Sequence, residues 1–344
     1  MPEPGIFAKT RSAAEWSGAR RKIAGGAGIP ERDISRRETG KMGSVCFVIL
    51  NYRTFQEAAA CAKSVLNTQT YPDIRIVIVD NGSANGSAEE LREQFAGEER
   101  VHVIAAERNL GFAQGNNLGI RYVREHFAPD FIVVANSDIL FSQRDYCGQL
   151  FRIYRDRPFA ILGGDIVDAT GTQHFNPVAR ERRYTLKYMR RQVLVSRAKA
   201  AAFSMIKCFH LSGLFFGRRG KRTAGNQATR EVDGKSVAAD SRIEEELTGV
   251  LLHGCCLVFS QDFFREMDGF YEKTFLYAEE EILYYLALKK GLVTLYSPRV
   301  GCMHKEAVTT NTIRKDLCDA KIFYFSHITK SYRIFLKLMK EYER

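Results

Sequence analysis

The sequence predicts a doubly wound α/β fold with a mostly parallel sheet, and three observations carry that expectation. Short β-branched runs recur at residues 45–50, 74–79, 101–105 and 131–135. Stretches with helical character separate them. Each run ends on polar residues: Asn51, Asp80, Arg108-Asn109 and Asn136-Ser137-Asp138. Continuous apolar strands belong to sheets covered on both faces, and strand alternating with helix is the α/β pattern.

The elements follow in order. Val45-Cys46-Phe47-Val48-Ile49-Leu50 reads as a first buried strand ending at Asn51-Tyr52. A helix is predicted over 54–67, with acidic Glu57 early and Ala58, Cys61, Ala62, Val65 and Leu66 on one face. The second strand, 74–79, ends at Asp80-Asn81-Gly82-Ser83. A helix over 87–95, a strand over 101–105, a helix over 114–127 and a strand over 131–135 complete the pattern.

All four tips fall at one edge of such a sheet, where open α/β folds bind ligands. Asn51, Asp80, Arg108 and Asn109 offer the carboxylate, amide and cationic groups that a nucleotide needs. Asn136-Ser137-Asp138 ends a core strand, where a carboxylate can hold a divalent cation against a diphosphate. The plain alternative is a turn, since Asn, Ser and Asp all favour one. A dinucleotide-binding Rossmann fold would place G-x-G-x-x-G after the first strand. Here that turn is Asn51-Tyr52-Arg53-Thr54, without glycine, which weighs against NAD.

Val48-Ile49-Leu50-Asn51-Tyr52, Val79-Asp80-Asn81-Gly82-Ser83, Asn109-Leu110-Gly111-Phe112-Ala113 and Asn136-Ser137-Asp138 together resemble the family-2 inverting glycosyltransferases of GT-A fold. The subgroup resembled is the one of rhamnosyl- and galactofuranosyl-type transferases. Later segments extend the likeness. His253-Gly254-Cys255-Cys256-Leu257-Val258-Phe259 resembles the acceptor-side strand. Gly269-Phe270-Tyr271-Glu272-Lys273 and Phe275-Leu276-Tyr277-Ala278-Glu279-Glu280-Glu281 resemble the G-G-F-D-E and F-L-Y-G-E-D segments, and Met303-His304-Lys305 the late histidine. The matches keep family order over about residues 45–310, apart from a divergent middle.

The resemblance implies a GT-A domain over 44–310, with a small acceptor-side sheet and C-terminal helices. It implies metal-dependent transfer of a hexosyl or deoxyhexosyl group, with inversion, from a UDP- or dTDP-linked donor to a glycan or lipid-linked hydroxyl. Asp138 matches the metal-binding aspartate, with Asn136 where a two-Asp form has its first carboxylate. His304 matches a late metal-ligand histidine, whose plain alternative is an ordinary core residue. The cofactor expected is Mg²⁺ or Mn²⁺. Asn51, Asp80, Arg108, Asn109, Asn136 and Asp138 are the expected donor-binding residues, and His253 and Gly254 lie on the acceptor side. Glu280 matches the general base, and Glu279 can exchange roles with it. The triplet also suits a helix start, where acidic residues complement the macrodipole.

The net charge of +11 is uneven. Residues 177–243 carry 16 Lys and Arg against 4 Asp and Glu, while the rest of the chain holds 35 against 36. Within this basic insertion, residues 184–216 interleave Leu186, Met189, Val193, Leu194 and Phe203 with Lys187, Arg190, Arg191 and Arg197. That pattern predicts an interfacial helix on an anionic membrane. It is too charged to span one. A solvated or oligomer-forming segment is the first alternative and a nucleic-acid patch the second. Residues 217–234 read as a flexible basic loop. The C-terminal segment, 311–344, reads as a helix packed on the domain or as a second membrane foot. Residues 1–43 lack apolar periodicity and are expected to be disordered, with Met42 as an alternative start. The 8 cysteines form no C-x-x-C pair, which fits a reducing compartment. The expected location is cytoplasmic, peripheral on the inner face of the cell membrane.

Two other functions compete. A nucleotidyltransferase of sugar-nucleotide metabolism would share the sheet and the metal, but needs a Gly-rich basic first loop that 51–55 lacks. A non-enzymatic basic binding module leaves Asp80, Asp138, the three glutamates and His304 without a joint purpose.

Overall fold

The computed structural model describes residues 43–208, 242–305 and 317–343. The expected basic loop at 217–234, and all of the expected disordered tail but Gly43, lie outside those residues. Four parallel strands form the first half of the sheet: β1 (Val45–Asn51), β2 (Ile74–Asp80), β3 (Val101–Ala105) and β4 (Phe131–Asn136). Their order is β3-β2-β1-β4. Helices α1 (Phe55–Thr68), α2 (Ser87–Gln94) and α3 (Gly111–His126) make the crossovers. The third begins three residues before the glycine-rich pattern suggested, because Asn109 and Asn81 already order its entry.

Register sets the binding edge. Asn51 pairs with Asp80 and Leu50 with Asn136, so the polar tips end level. The period-2 alternation of β1 divides two cores. Val45, Phe47 and Ile49 pack with α1 and with α4 (Tyr146–Asp156), while Cys46 and Val48 pack with α3 on the opposite face. Burying a side chain such as Phe47 contributes about 1.5–3 kcal/mol.

The later strands continue the same sheet. After the short β5 (Ile139–Leu140) come β6 (Ile161–Asp168), β7 (Leu247–Thr248), β8 (Cys256–Ser260) and β9 (Thr294–His304). β8 runs antiparallel to β4, with Ala135 opposite Cys256. β6 is antiparallel to β8, and β9 is parallel to β6. β5 returns antiparallel to β9, with Ile139 opposite His304. This pairing carries His304 across the sequence to the motif ending in Asp138. Lys305 N donates to the Asp138 carbonyl at 3.0 Å, and Asn136 N to the Cys255 carbonyl at 2.8 Å.

Four more helices complete the described chain: α5 (Leu186–Cys208), α6 (Gln261–Glu266), α7 (Glu279–Lys289) and α8 (Leu317–Tyr342). The basic insertion and the C-terminal segment pack on each other. Thr329 Oγ1 donates to Ser196 Oγ at 2.8 Å, Phe203 stacks on Phe325 at 5.7 Å, and Lys207 pairs with Asp319. Tyr184, just before α5, meets Phe335 at 5.1 Å. Contacts that run up one helix and down the other define an antiparallel pair. Met189, Phe335 and Met339 of this pair bury against Ile282, Tyr285 and Leu286 of α7.

Candidate active site

The donor edge is built from strand tips that hold one another. Asn51 Nδ2 donates to Asp80 Oδ1 at 2.7 Å, and Ser83 N donates to Asp80 Oδ2 at 3.1 Å. Asn51 Oδ1 accepts from Thr54 N at 3.2 Å, fixing the first turn. Asp80 is 4% exposed and Asn51 fully buried. Ser83 Oγ also donates to Asp80 Oδ1, at 2.5 Å, so the spare acceptor capacity of Asp80 lies on Oδ2. Asn81 bridges to the next loop, donating to Asn109 Oδ1 at 3.1 Å and accepting from Leu110 N at 3.0 Å. Arg108 is exposed beside them. The glycine-rich motif acts as a joint. Gly111 has φ +82°, and a Cβ there would overlap the Phe275 carbonyl, which accepts from Phe112 N at 2.8 Å. Donor loop and acceptor loop thus meet backbone to backbone.

Asp138 and His304 come together as the sequence likeness implied. Asp138 Oδ2 lies 3.2 Å from His304 Nε2, with both side chains nearly buried. His304 Nδ1 is buried and has no hydrogen-bond partner among the described residues. Asp138 and the Nε2 edge of His304 thus pair a carboxylate with an imidazole, ligand types that a divalent cation takes, while the unpartnered Nδ1 lies on the other side of the ring. Among the described residues no three His, Cys, Asp or Glu side chains converge as a metal-ligand group. If these two held a cation, the remaining positions would fall to phosphate oxygens and water, as Mg²⁺ usually binds at nucleotide sites.

His253 stands next to this pair, its ring 6.2 Å from that of His304. Burial, with His304 adding to it, holds its imidazole down at about 4, so it is neutral. Its backbone N–H donates to Asn176 Oδ1 at 2.7 Å. Phe175 packs against both histidines, each at 5.8 Å. Phe175 and Asn176 lie in the divergent middle, and nothing in the sequence marked them.

The three glutamates face three ways. Glu279 is 5% exposed and lies against Thr274; burial, then Glu280, pushes its carboxyl up to about 8. Glu280 lies against the turn after His253: a Cβ on Gly254 would sit 3.5 Å from Glu280 Oε2. Burial raises its carboxyl too. Glu281 turns toward Arg182, Tyr184 and Tyr332, and burial, then Glu280, pushes it up to about 7. Cys255 feels the charge of both Asp138 and Glu280. Both carboxylates are therefore within electrostatic reach of that turn.

The sequence profile of Glycosyl transferase family 2 matches residues 44–219, just over half of the chain. Among curated relatives, the low-salt glycan biosynthesis hexosyltransferase Agl10 of Haloferax volcanii is 25% identical over 130 residues, 38% of this chain and 39% of that protein. The glycosyltransferase GlyG of Streptococcus pneumoniae is 31% identical over 94 residues, 27% of this chain and 30% of that protein. The N-acetylglucosaminyl-diphospho-decaprenol L-rhamnosyltransferase of Mycobacterium tuberculosis is 23% identical over 252 residues, 71% of each chain. The chain spans less than half the length of the first two of these relatives. Among solved structures, GalNAc-T7 with UDP, GalNAc and Mn²⁺ aligns with a TM-score of 0.48 at 14% identity, covering 77% of this chain and 44% of that one. S. aureus TarS 1–349 aligns at 0.42 and 12%, covering 77% and 58%.

Proposed function

The chain belongs to glycosyl transferase family 2, and from that premise we propose that it moves a sugar from a UDP- or dTDP-linked donor to a hydroxyl of a cell-surface glycan or lipid-linked acceptor, with inversion. The observations that carry this reading are two acidic groups near one sheet edge: Asp138 paired with His304 at 3.2 Å, and Glu280 against Gly254. One suits the leaving diphosphate and the other the incoming hydroxyl.

In this reading the tips at Asn51, Asp80, Arg108 and Asn109 bind the nucleoside. Asp138 and His304 would hold the divalent cation, which supplies charge stabilisation to the departing diphosphate. Glu280 accepts the proton of the acceptor hydroxyl as its oxygen bonds to the anomeric carbon and the carbon–phosphate oxygen bond breaks. Glu280 is favoured over Glu279 because Glu279 is enclosed and pushed up to about 8, so it stays protonated near neutral pH. Neutral His253 leaves the metal ligands without a competing positive charge. The name of the mycobacterial relative supports a lipid-linked sugar diphosphate as the acceptor class.

Such an acceptor would be presented at a membrane, and α5 offers a surface for one. Its outer face exposes Leu194 at 65% and Met205 at 57%, with Lys187, Arg190, Arg191 and Arg197 also exposed. Among the described residues no helix is long and apolar enough to cross a membrane. Binding to anionic vesicles that weakens with salt supports this part; binding indifferent to salt and lipid charge contradicts it.

The test of the activity is a screen of nucleotide sugars for nucleoside diphosphate release, with and without Mn²⁺ or Mg²⁺. A UDP- or dTDP-sugar should be turned over, and the matching diphosphate should raise the melting temperature by linkage. Nucleotide triphosphates turned over in place of nucleotide sugars would favour the nucleotidyltransferase reading.

A further inference from the structure

A general base works only where its carboxylate meets the acceptor hydroxyl in line, and a small misplacement is expensive. Glu280 lies in the first turn of α7, and that turn starts without a side-chain cap. Tyr277 and Ala278 before it take left-handed conformations, at φ +71° and +67°. Such residues persist only where the surroundings over-determine them. The chain reaches them through an irregular loop, residues 268–276, between α6 and α7.

The backbone groups of such a loop need partners, and α3 supplies them. Phe270 N donates to Asn117 Oδ1 at 2.8 Å, and Asn117 Nδ2 donates back to the Phe270 carbonyl at 2.8 Å. Gln114 Nε2 donates to the Glu272 carbonyl at 2.9 Å, and Phe112 N to the Phe275 carbonyl at 2.8 Å. Arg121 and Arg124 add ion pairs to Glu272 and Asp268, at 2.8 and 3.2 Å. Positions 114, 117, 121 and 124 share one face of a helix, so a single polar stripe of α3 takes the loop along most of its length. Asn117 is the buried member of that stripe. Gly269 takes φ +152°, and a Cβ there would lie 2.3 Å from Asn117 Oδ1, so the loop can come this close only as glycine. Asparagine is a weak helix former, and a buried amide is costly unless it is bonded. Its two-way bond with Phe270 meets that condition.

The start of α3 belongs to the edge proposed to bind the donor. Asn81 Nδ2, next to Asp80, donates to the Gly111 carbonyl at 3.0 Å, and Gly111 N donates to Asn109 Oδ1 at 2.9 Å. One helix therefore touches both the nucleoside tips and the loop that leads to Glu280.

We propose that the polar stripe of α3, with Asn117 at its centre, is a positioning device: it seats loop 268–276 on α3 and so sets where Glu280 stands relative to a donor held at the start of the same helix. This rests on the reading of Glu280 as the base.

Two variants of the full chain test it. Asn117→Leu, close in size, removes both bonds to Phe270. With the nucleotide sugar selected by the screen, it should lower kcat by about 10- to 100-fold, the scale of a small misplacement. UDP affinity by calorimetry should stay within about two-fold, the split expected of a positioning effect, because α3 still begins at Asn81 and Asn109. The second variant combines Gln114→Ala with Arg121→Ala. It cuts two outer ties without touching the core, and decides the matter if Asn117→Leu does not fold. Its kcat should fall by at least about three-fold at unchanged UDP affinity. Wild-type kcat in a folded Asn117→Leu or in the double variant overturns the proposal, and so does an equal loss of kcat and UDP affinity. Hydrogen exchange of residues 277–283 needs no substrate. It should accelerate at least about ten-fold in Asn117→Leu and about three-fold in the double variant, since local opening sets the rate. Unchanged exchange overturns the seating of the loop. If the wild type turns over no nucleotide sugar, the functional reading falls, and exchange alone decides whether α3 holds the start of α7.

Discussion

The first half of the sheet, proposed to bind the donor, and the second half, proposed to face the acceptor, treat buried polar groups in opposite ways. Around β1, β2 and the entry of α3, each polar tip is met by another: Asp80 by Asn51 and Ser83, Asn81 by Asn109 and Leu110. On the acceptor side, Glu279 Oε1, Glu281 Oε2, His304 Nδ1 and the hydroxyls of Tyr184 and Tyr285 are buried without hydrogen-bond partners among the described residues; in the donor half only Asn116 Oδ1 is. Buried polar groups are normally paired, and exceptions call for a cause. The edge proposed to bind the donor is already paired within itself. The acceptor side is where cation, sugar and acceptor would complete the bonding, which is where local rules are expected to fail.

The largest effect should come from the side that lacks partners. Asp138→Ala should weaken the divalent-ion enhancement of UDP binding by more than about 100-fold, since losing even a supporting group at a metal site costs roughly 10–100-fold. The fold should survive, because Asp138 lies just past the end of β4 and its side chain faces His304. His304→Ala should weaken it less, as water can replace one ligand. Calorimetry with and without Mn²⁺ measures both, and normal enhancement in Asp138→Ala removes the metal from this site.

The paired side should respond more evenly. Asp80→Ala should weaken UDP affinity by about 1–3 kcal/mol, the cost of unpaired buried groups, and should do so with or without metal. It should also lower the melting temperature, because Asn51 and Ser83 lose their shared partner. Unchanged affinity would take Asp80 out of the nucleotide site.

A separate effect is a pH signature in stability. Glu279 has a folded-state value of about 8 against an ordinary 4.5. The unfolded chain releases that proton first, so the contribution to stability is full below about 4.5 and is lost as pH rises toward about 8. One proton bounds the slope at about 1.4 kcal/mol per pH unit. Glu279→Gln should flatten the fall in stability across that window. An unaltered pH profile would mean that Glu279 is not held neutral.

These differences also explain what the sequence disclosed. The strands and their tips were legible because parallel strands separated by helices end at one edge, so Asn51, Asp80 and Asp138 needed no long-range knowledge. Pairing Asp138 with His304 did need it: the register of β5 on β9 joins them, and only motif order hinted at that. The choice among Glu279, Glu280 and Glu281 could not be read from spacing. It depends on two left-handed residues, Tyr277 and Ala278, which set the phase of the helix. The partnership of α5 with α8 was hidden for another reason. Each segment alone is basic and apolar enough to suggest a membrane face, and only packing reveals which apolar residues meet each other and which, such as Leu194 and Met205, stay exposed.

The central claim is that a preformed donor cradle delivers the sugar to a base on the less satisfied acceptor side, and Glu280→Gln tests it most directly. Turnover of the donor and affinity for its nucleoside diphosphate should be measured on the same preparation. Transfer should fall by about 10²–10⁴, the range for losing a general base, while the dissociation constant stays close to wild type. Undiminished transfer, or loss of nucleotide binding together with activity, would contradict it.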